Sequence, residues 1–198
     1  MSTPNRTRDG RGRVVIDRVR PEVDGGRFPI KRTVGEQVIV SADVFADGHD
    51  VIRCLVRHRP EGADKWTEVS MEASYNDLWQ ASFTVNAIGR HVYTVVAWVD
   101  RFFTWQHDLA RRNDPKDIAL AMKVGEELVL EAAARAPGAA GARLKEIAAT
   151  LGKTSAPETA KQLGADRELT ELMSRHAEQR FPTEYERVLT VTVEPVRA

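Results

Sequence analysis

The composition of this chain changes once along its length and then changes back. Residues 1–105 hold 7 alanines, whereas Gln106–Pro182 hold 16 in 77 residues. Alanine is the best helix former and a weak strand former, so the second stretch is expected to be helical and the first is not. After Pro182 the pattern reverts. Arg187–Val193 reads Arg-Val-Leu-Thr-Val-Thr-Val, with Leu189, Val191 and Val193 alternating with Thr190 and Thr192. A single strand has no stability of its own, so this segment must pair with strands formed much earlier. The helical block then becomes an insertion between the penultimate and last strands of a β domain.

The first 105 residues carry a β signal. Val14-Val15-Ile16 opens a strand that stops before Pro21. Across Glu36–Ala46, Val38, Val40, Ala42 and Val44 fall on one face, the period of a half-buried strand. Asp47-Gly48-His49-Asp50 supplies turn residues. Further strands are expected at Val51–Arg59, Lys65–Glu72, Leu78–Val85 and His91–Val99, with a short one at Phe102–Trp105 after a turn at Asp100-Arg101. Trp79, Ala81, Phe83 and Val85 share one face, as do Tyr93, Val95, Ala97 and Val99. Short strands about ten residues apart, with turn signals between them, suggest a β-sandwich.

The alanine-rich block divides at its caps. A short helix is expected over Gln106–Arg112. Asp114 is an N-cap, Pro115 suits the first helical position, and Asp117 lies near the positive dipole end. The stripe Ile118, Ala121, Met122, Gly125, Leu128, Val129 and Ala132 follows, and Pro137-Gly138 stops it. Leu144, Ile147, Ala148 and Leu151 form a third apolar face, closed by Gly152 as a C′ residue. Ser155-Ala156-Pro157-Glu158 reads as a capping box. Asp166 caps a last helix with Leu169, Leu172, Met173 and His176 on its stripe, ended by Phe181-Pro182. The expected fold class is α+β: an immunoglobulin- or fibronectin-III-like β-sandwich with an inserted α-helical bundle. Its domains are a disordered tail at 1–12, a sandwich at 13–105 completed by 183–198, and an inserted bundle at 106–182.

Few chemistries fit. With 29 Lys+Arg against 29 Asp+Glu the formal net charge is zero, which offers no global field to nucleic acid or an anionic membrane. Cys54 is the single cysteine, so an internal disulfide framework and a Cys-rich zinc site are excluded. No apolar run approaches the roughly 20 residues of a membrane span, and Met1–Gly12 lacks the apolar core of a secretory signal; a soluble, cytoplasmic chain is expected. His49, His58, His91, His107 and His176 are scattered, with no pair three or four apart on an expected helix. Among them, His107-Asp108 beside Trp105 is the most suggestive group, and packing explains it better than ligation. Cys54 sits in mid-strand as a small buried hydrophobe. No Gly-x-Ser-x-Gly elbow is present, and Gly10-x-Gly12 precedes no helix that could hold phosphate. No catalytic residue, cofactor-binding residue or metal ligand is assigned, and no cofactor is expected. Trp66, Trp79, Trp98 and Trp105 all fall on expected strands, where core packing is the commoner use; Trp98 or Trp66 is the better candidate for a contact surface.

Several segments resemble a known family. They are Arg13-Val-Val-Ile-Asp-Arg-Val-Arg-Pro21, Val38-x-Val40-x-Ala42-Asp-Val-Phe-Ala-Asp-Gly-His-Asp50, Leu78-Trp79-x-Ala81-x-Phe83, Gly89-x-x-x-Tyr93-Thr-Val-Val-Ala-Trp98-Val-Asp100 and Thr104-Trp105-x-His107-Asp108. Together they resemble the amino-terminal part of the bacterial α-1,4-glucan:maltose-1-phosphate maltosyltransferases. The Asp-Gly-His-Asp turn and the Thr-Trp-x-His segment are the most specific pieces. The resemblance implies a β-sandwich carrying a small helical insertion. It implies an amylase-like parent that extends α-1,4-glucans from maltose 1-phosphate with retention, using two carboxylic residues on a (β/α)8 barrel. In the family that barrel follows these domains, and here only five residues follow Val193. No catalytic residue has a matching position. The chain is therefore expected to be inactive alone, to serve homodimer assembly through the sandwich and bundle, and to pack on a catalytic barrel in cis. The alternative is a stand-alone α-glucan-binding module. An exposed apolar patch larger than a monomer normally shows is also expected.

Overall fold

The computed structural model describes residues 13–196; the tail expected at 1–12 lies outside the described residues. In chain order the elements are β1 (Val14–Arg20), β2 (Ile30–Thr33), β3 (Gln37–Ala46), β4 (Ile52–Pro60), β5 (Thr67–Ser70), β6 (Glu72–Ala73), β7 (Leu78–Thr84) and β8 (Gly89–Val99), then α1 (Arg101–Arg111), α2 (Pro115–Ala133), α3 (Gly138–Lys153), α4 (Pro157–Gly164) and α5 (Arg167–His176), and finally β9 (Thr183–Glu184) and β10 (Leu189–Glu194). The class is α+β. The described chain divides into two compact units, one of residues 13–48, 52–99 and 181–196, the other of residues 49–51 and 100–180.

In the first unit one sheet has the order β1-β3-β7-β6; the other has β2-β10-β8-β4-β5, with β9 paired to β8. The alternation in β3 sends Val38, Val40, Ala42 and Val44 inward, each fully buried. Val38 and Val40 sit opposite Phe83 and Ala81 of antiparallel β7. In the second sheet Cys54 faces Ala97 and Val56 faces Val95 across the β4–β8 pair. Inward side chains of both sheets, including Val40, Phe83, Val56, Tyr93, Val95 and Val191, form one core. The late strand β10 lies between β8, to which it is antiparallel, and β2, to which it is parallel. Its ladder positions are therefore filled on both sides, which supplies the pairing that an isolated strand lacks.

One expected strand is two. Lys65–Glu72 divides at Met71, which is buried and donates its N–H to the Cys54 carbonyl at 2.9 Å. Before it β5 pairs with β4, and after it β6 pairs with β7, so the chain changes sheet at this residue. An alternating pattern cannot reveal such a crossing, because the polar face remains outside in both sheets.

In the second unit, Phe102–Trp105 are the first turns of α1 and not a strand. Asp100 caps the helix by accepting the Phe103 N–H at 3.0 Å. Phe102, Trp105 and Leu109, spaced three and four apart, turn one buried face inward. Aromatic residues favour strands on average, but here the cap and the spacing override that preference. For α2 the expected cap holds, with Asp114 Oδ1 accepting from Lys116 N at 2.8 Å and Asp117 N at 3.2 Å, and the whole predicted stripe is buried.

Two expected helix signals are corrected. Gly152 does not close α3 but lies inside it, with Thr154 as the C-cap. A Cβ at Gly152 would collide with the Glu126 carboxylate of α2, so close approach between helices is the feature that suits glycine here. Ser155 does not form a capping box. The N-cap is Ala156, without a side-chain hydrogen bond, because Pro157 takes the first helical position and shifts the start one residue along. At the end of the unit Asp166 caps α5 through Leu169 N at 2.8 Å. Phe102, Trp105, Leu109, Ile118, Met122, Leu144, Leu151, Leu169 and Met173 belong to the unit's own core.

Candidate functional site

The buried polar groups are engaged in holding the fold. Among the described residues no group of three or more His, Cys, Asp or Glu could hold a metal ion. His91 is buried and its Nε2 lies 2.9 Å from the Ala87 carbonyl. His58 stacks on Phe83 with ring centroids 4.1 Å apart, and burial, helped by His91, holds its imidazole below the usual histidine range. His49 and His107 are exposed, the latter 3.5 Å from Arg111 Nη1, and His176 is half-buried. Cys54 is buried, donates to Met71 Sδ at 3.3 Å, and burial pushes its thiol up to about 12. At that value it supplies no thiolate near neutral pH. Tyr93 donates its hydroxyl to the Pro21 carbonyl; burial raises the phenol above its ordinary value, Arg32 pulls it down and Glu22 adds to the rise.

The two segments most specific to the resemblance meet. The turn Asp47-Gly48-His49-Asp50 leads into Val51, whose N–H donates to Thr104 Oγ1 at 2.9 Å. The Thr104 hydroxyl in turn donates to the Asp100 carbonyl at 2.8 Å, and Asp100 N–H donates to the Val51 carbonyl at 2.8 Å. One residue on, Trp105 donates its indole N–H to the Ala121 carbonyl at 2.6 Å. Gly125 of α2 leaves room for that ring, since a Cβ there would fall 2.6 Å from Trp105 Cε2. These residues stitch residues 49–51 and α1 into the helical unit; they do not converge on an open cleft. Sequence reasoning missed this junction, because it read Phe102–Trp105 as a strand. The signal was there in Asp100, a capping residue three positions before Phe103.

A pocket within the helical unit is lined by Arg101, Phe102, Glu131, Arg135 and Met173, among others, and holds about 10 Å³. That is room for about one water molecule, and a sugar site needs far more. Arg101 and Glu131 close one side of it with an ion pair at 2.8 Å.

The tryptophans separate into different roles. Trp98 is only 8% exposed and clusters with Leu55 and Val96, so within this chain it is not a free surface. Trp79 is half-buried against the two-sheet core. Trp105 is a helix core residue and not a strand residue. Trp66 precedes β5, is half-buried, and lies under the Arg59 guanidinium, 4.4 Å from the ring centroid. Exposed apolar side chains lie elsewhere. Val15 and Phe45 are directly opposite on β1 and β3, and Leu120, Val124 and Leu130 lie on α2. No helix of the described residues is long and apolar enough to cross a membrane.

Fold and surface together define an α+β chain whose helical unit interrupts a two-sheet unit and whose most available features are apolar faces. A family model described as alpha-1,4-glucan:maltose-1-phosphate maltosyltransferase, domain N/S, matches residues 12–195, and the chain belongs to that family. It is 40% identical over 194 residues to the alpha-1,4-glucan:maltose-1-phosphate maltosyltransferase of Chlorobaculum tepidum, covering 96% of this chain and 28% of that protein. With the enzyme of the same name from Myxococcus xanthus it shares 37% identity over 196 residues, 94% of this chain and 29% of the relative. For the Burkholderia pseudomallei enzyme the figures are 32% over 186 residues, 92% and 16%. The chain thus spans less than a third of the length of each of these relatives.

Proposed function

We propose that this chain is the non-catalytic amino-terminal region of a maltosyltransferase that extends α-1,4-glucans from maltose 1-phosphate, and that it serves dimer assembly and packing against a catalytic barrel. The family match over residues 12–195 carries this reading, because the matched part is the N/S domain of much longer relatives. Exposed apolar residues on β1, β3 and α2 support a role exercised through surfaces. The strand order supports an immunoglobulin-type sandwich, with β1-β3-β7-β6 facing β2-β10-β8-β4-β5 and a helical insertion between β8 and the short β9 that precedes β10. A cytoplasmic location fits the activity in the relatives' names. The test is transfer from maltose 1-phosphate to maltohexaose by the purified 198-residue chain. No elongated product is expected, and any enzyme-dependent elongation overturns the non-catalytic assignment.

A second reading, an α-glucan-binding module, draws on Trp66, a half-exposed indole with the Arg59 guanidinium over its ring. Calorimetric titration with maltoheptaose separates the two. Saturable heat that is lost in Trp66→Ala favours the module, and none at millimolar ligand removes it.

A further inference from the structure

We infer that His58 and His91 form an acid-sensitive latch that closes one end of the two-sheet unit and holds the β7–β8 loop in place. The inference goes beyond the assembly reading and concerns a device within this chain. The two histidines are diagonal neighbours on the inner face of one sheet: His58 of β4 sits opposite Tyr93 of β8, and His91 lies two residues before Tyr93. Side chains so placed are within reach of one another. His58 also reaches across to the other sheet, where its ring lies on Phe83 of β7 with 9° between the planes. His91 is buried, and its Nε2 meets the Ala87 carbonyl at 2.9 Å. Among the described residues that contact is the one hydrogen bond made by residues 86–88. On either side the loop is clamped by backbone bonds, Val85 with Gly35 and Glu36, and Arg90 with Glu61. The middle of the loop therefore hangs on one imidazole.

The surroundings of the pair make the latch sensitive to protons. A proton on either ring places a cation between two apolar layers, and a second proton sets like charges side by side. The groups that face the rings are Tyr93 and Thr67 opposite His58, Phe83 from β7, and Pro60 and Val191 opposite His91. Burial keeps the Tyr93 phenol protonated, and the charges that act on it are Arg32 and Glu22. Arg57 and Arg59 flank His58 along β4 but turn to the other face, toward Glu68 and Trp66. Arg90, next to His91, pairs with Glu61, and Glu36 accepts the Thr33 N–H. Burial first and His91 second hold the His58 imidazole below the usual histidine range, and no carboxylate acts on it to offset them. A protonated ring is relieved only by reaching water. His58 is half-buried and swings out by giving up Phe83. His91 is buried, so it reaches water only when the loop it holds moves as well. Acid thus opens this end of the unit before the rest of it unfolds.

The test is an NMR titration of the 198-residue chain from about pH 7.5 to about pH 5.5, the range in which histidine charge changes. It follows the histidine ring carbons together with the amides around the loop. The Ala87, Ile88 and Gly89 peaks are expected to move with one midpoint below 6.5, in step with the His58 ring. The amides of Val85 and Glu61, hydrogen-bonded on the two sides of the loop, are expected to lose about tenfold or more of their exchange protection, while amides of the β3 interior keep theirs. His49 and His107 are exposed and serve as controls, whose ring shifts the loop is not expected to follow. His58→Phe keeps a ring on Phe83, and His91→Gln keeps a donor for the Ala87 carbonyl. The chain carrying both substitutions is expected to hold the loop closed over the whole range. Loop movement in step with His58 and not with His49 decides for the latch even if that variant fails to fold. Loop peaks that stay fixed in the unaltered chain, or a response that survives both substitutions, overturn it. Protection lost equally in the loop and in β3 overturns it too, because acid would then unfold the whole unit at once.

Discussion

Gly125 and Gly152 both sit inside helices, yet the physical reasons differ. The Cβ of an alanine at 125 would meet the ring of Trp105, which its indole hydrogen bond to Ala121 holds in place. Overpacking of this kind costs about 1–3 kcal/mol and outweighs the roughly 1 kcal/mol that alanine gains over glycine in a helix. At 152 the obstacle is the Glu126 carboxylate, the far end of a flexible side chain that can swing aside. Gly125→Ala is expected to lower the urea midpoint and Gly152→Ala to hold or raise it; the reverse order would refute the account. The histidines make a second residue-scale case. His58 is held below its ordinary value of 6.5 by burial and then by His91. Below 6.5 the unfolded chain binds the proton more readily than the folded chain does. Its contribution to stability is thus complete above 6.5 and is lost as pH falls through the lowered folded value. His58→Phe, which keeps the stack on Phe83, is expected to flatten the stability profile between pH 6.5 and the acid limb, measured by urea unfolding at successive pH values. An unchanged slope would mean that other groups set it. Sequence shows where each histidine falls on a strand but not which ring it meets, so His58 could not be told from a surface histidine before the fold was known.

Legibility differs among the elements in an instructive way. The α2 stripe and the Asp114 cap were legible because they are local: cap, proline and apolar spacing lie within one segment. The start of α1 was not, since its aromatic content resembles a strand and its capping residue follows directly on β8. The split at Met71 was hidden because sheet membership depends on partners far along the chain. Thr104 shows what the α1 start is for. Its hydroxyl accepts from Val51 N–H and donates to the Asp100 carbonyl. Thr104→Val keeps the shape but leaves the Val51 N–H without its acceptor, a loss of about 1–3 kcal/mol. Thr104→Ser, which retains the oxygen, is expected to lose much less. Thermal unfolding of the two variants compares them directly, and equal losses would show that the methyl group and not the hydroxyl matters.

At the scale of the molecule, the alternation of β, helical and β composition reflects two separate cores. One is built from Val38, Val40, Tyr93, Val95 and Val191 and their neighbours, the other from Trp105, Ile118, Leu144, Leu151 and Leu169 and theirs. That much could be read from the chain, because apolar periodicity changes with the element it serves. The exposure of Leu120 and Leu130 follows from the same periodicity, because both fall off the buried stripe of α2; what they meet does not. Two cores carry a consequence for cooperativity. Leu144 is fully buried in the helical core, and Leu144→Ala is expected to remove about 2–5 kcal/mol through lost contacts and the cavity left behind. If the units are separate in energy, hydrogen exchange will show the loss unevenly. Amides of α2 and α3 will lose protection by the full amount, while those of β3, β8 and β10 keep theirs. Equal loss across all these elements would mean that the chain unfolds as one cooperative body.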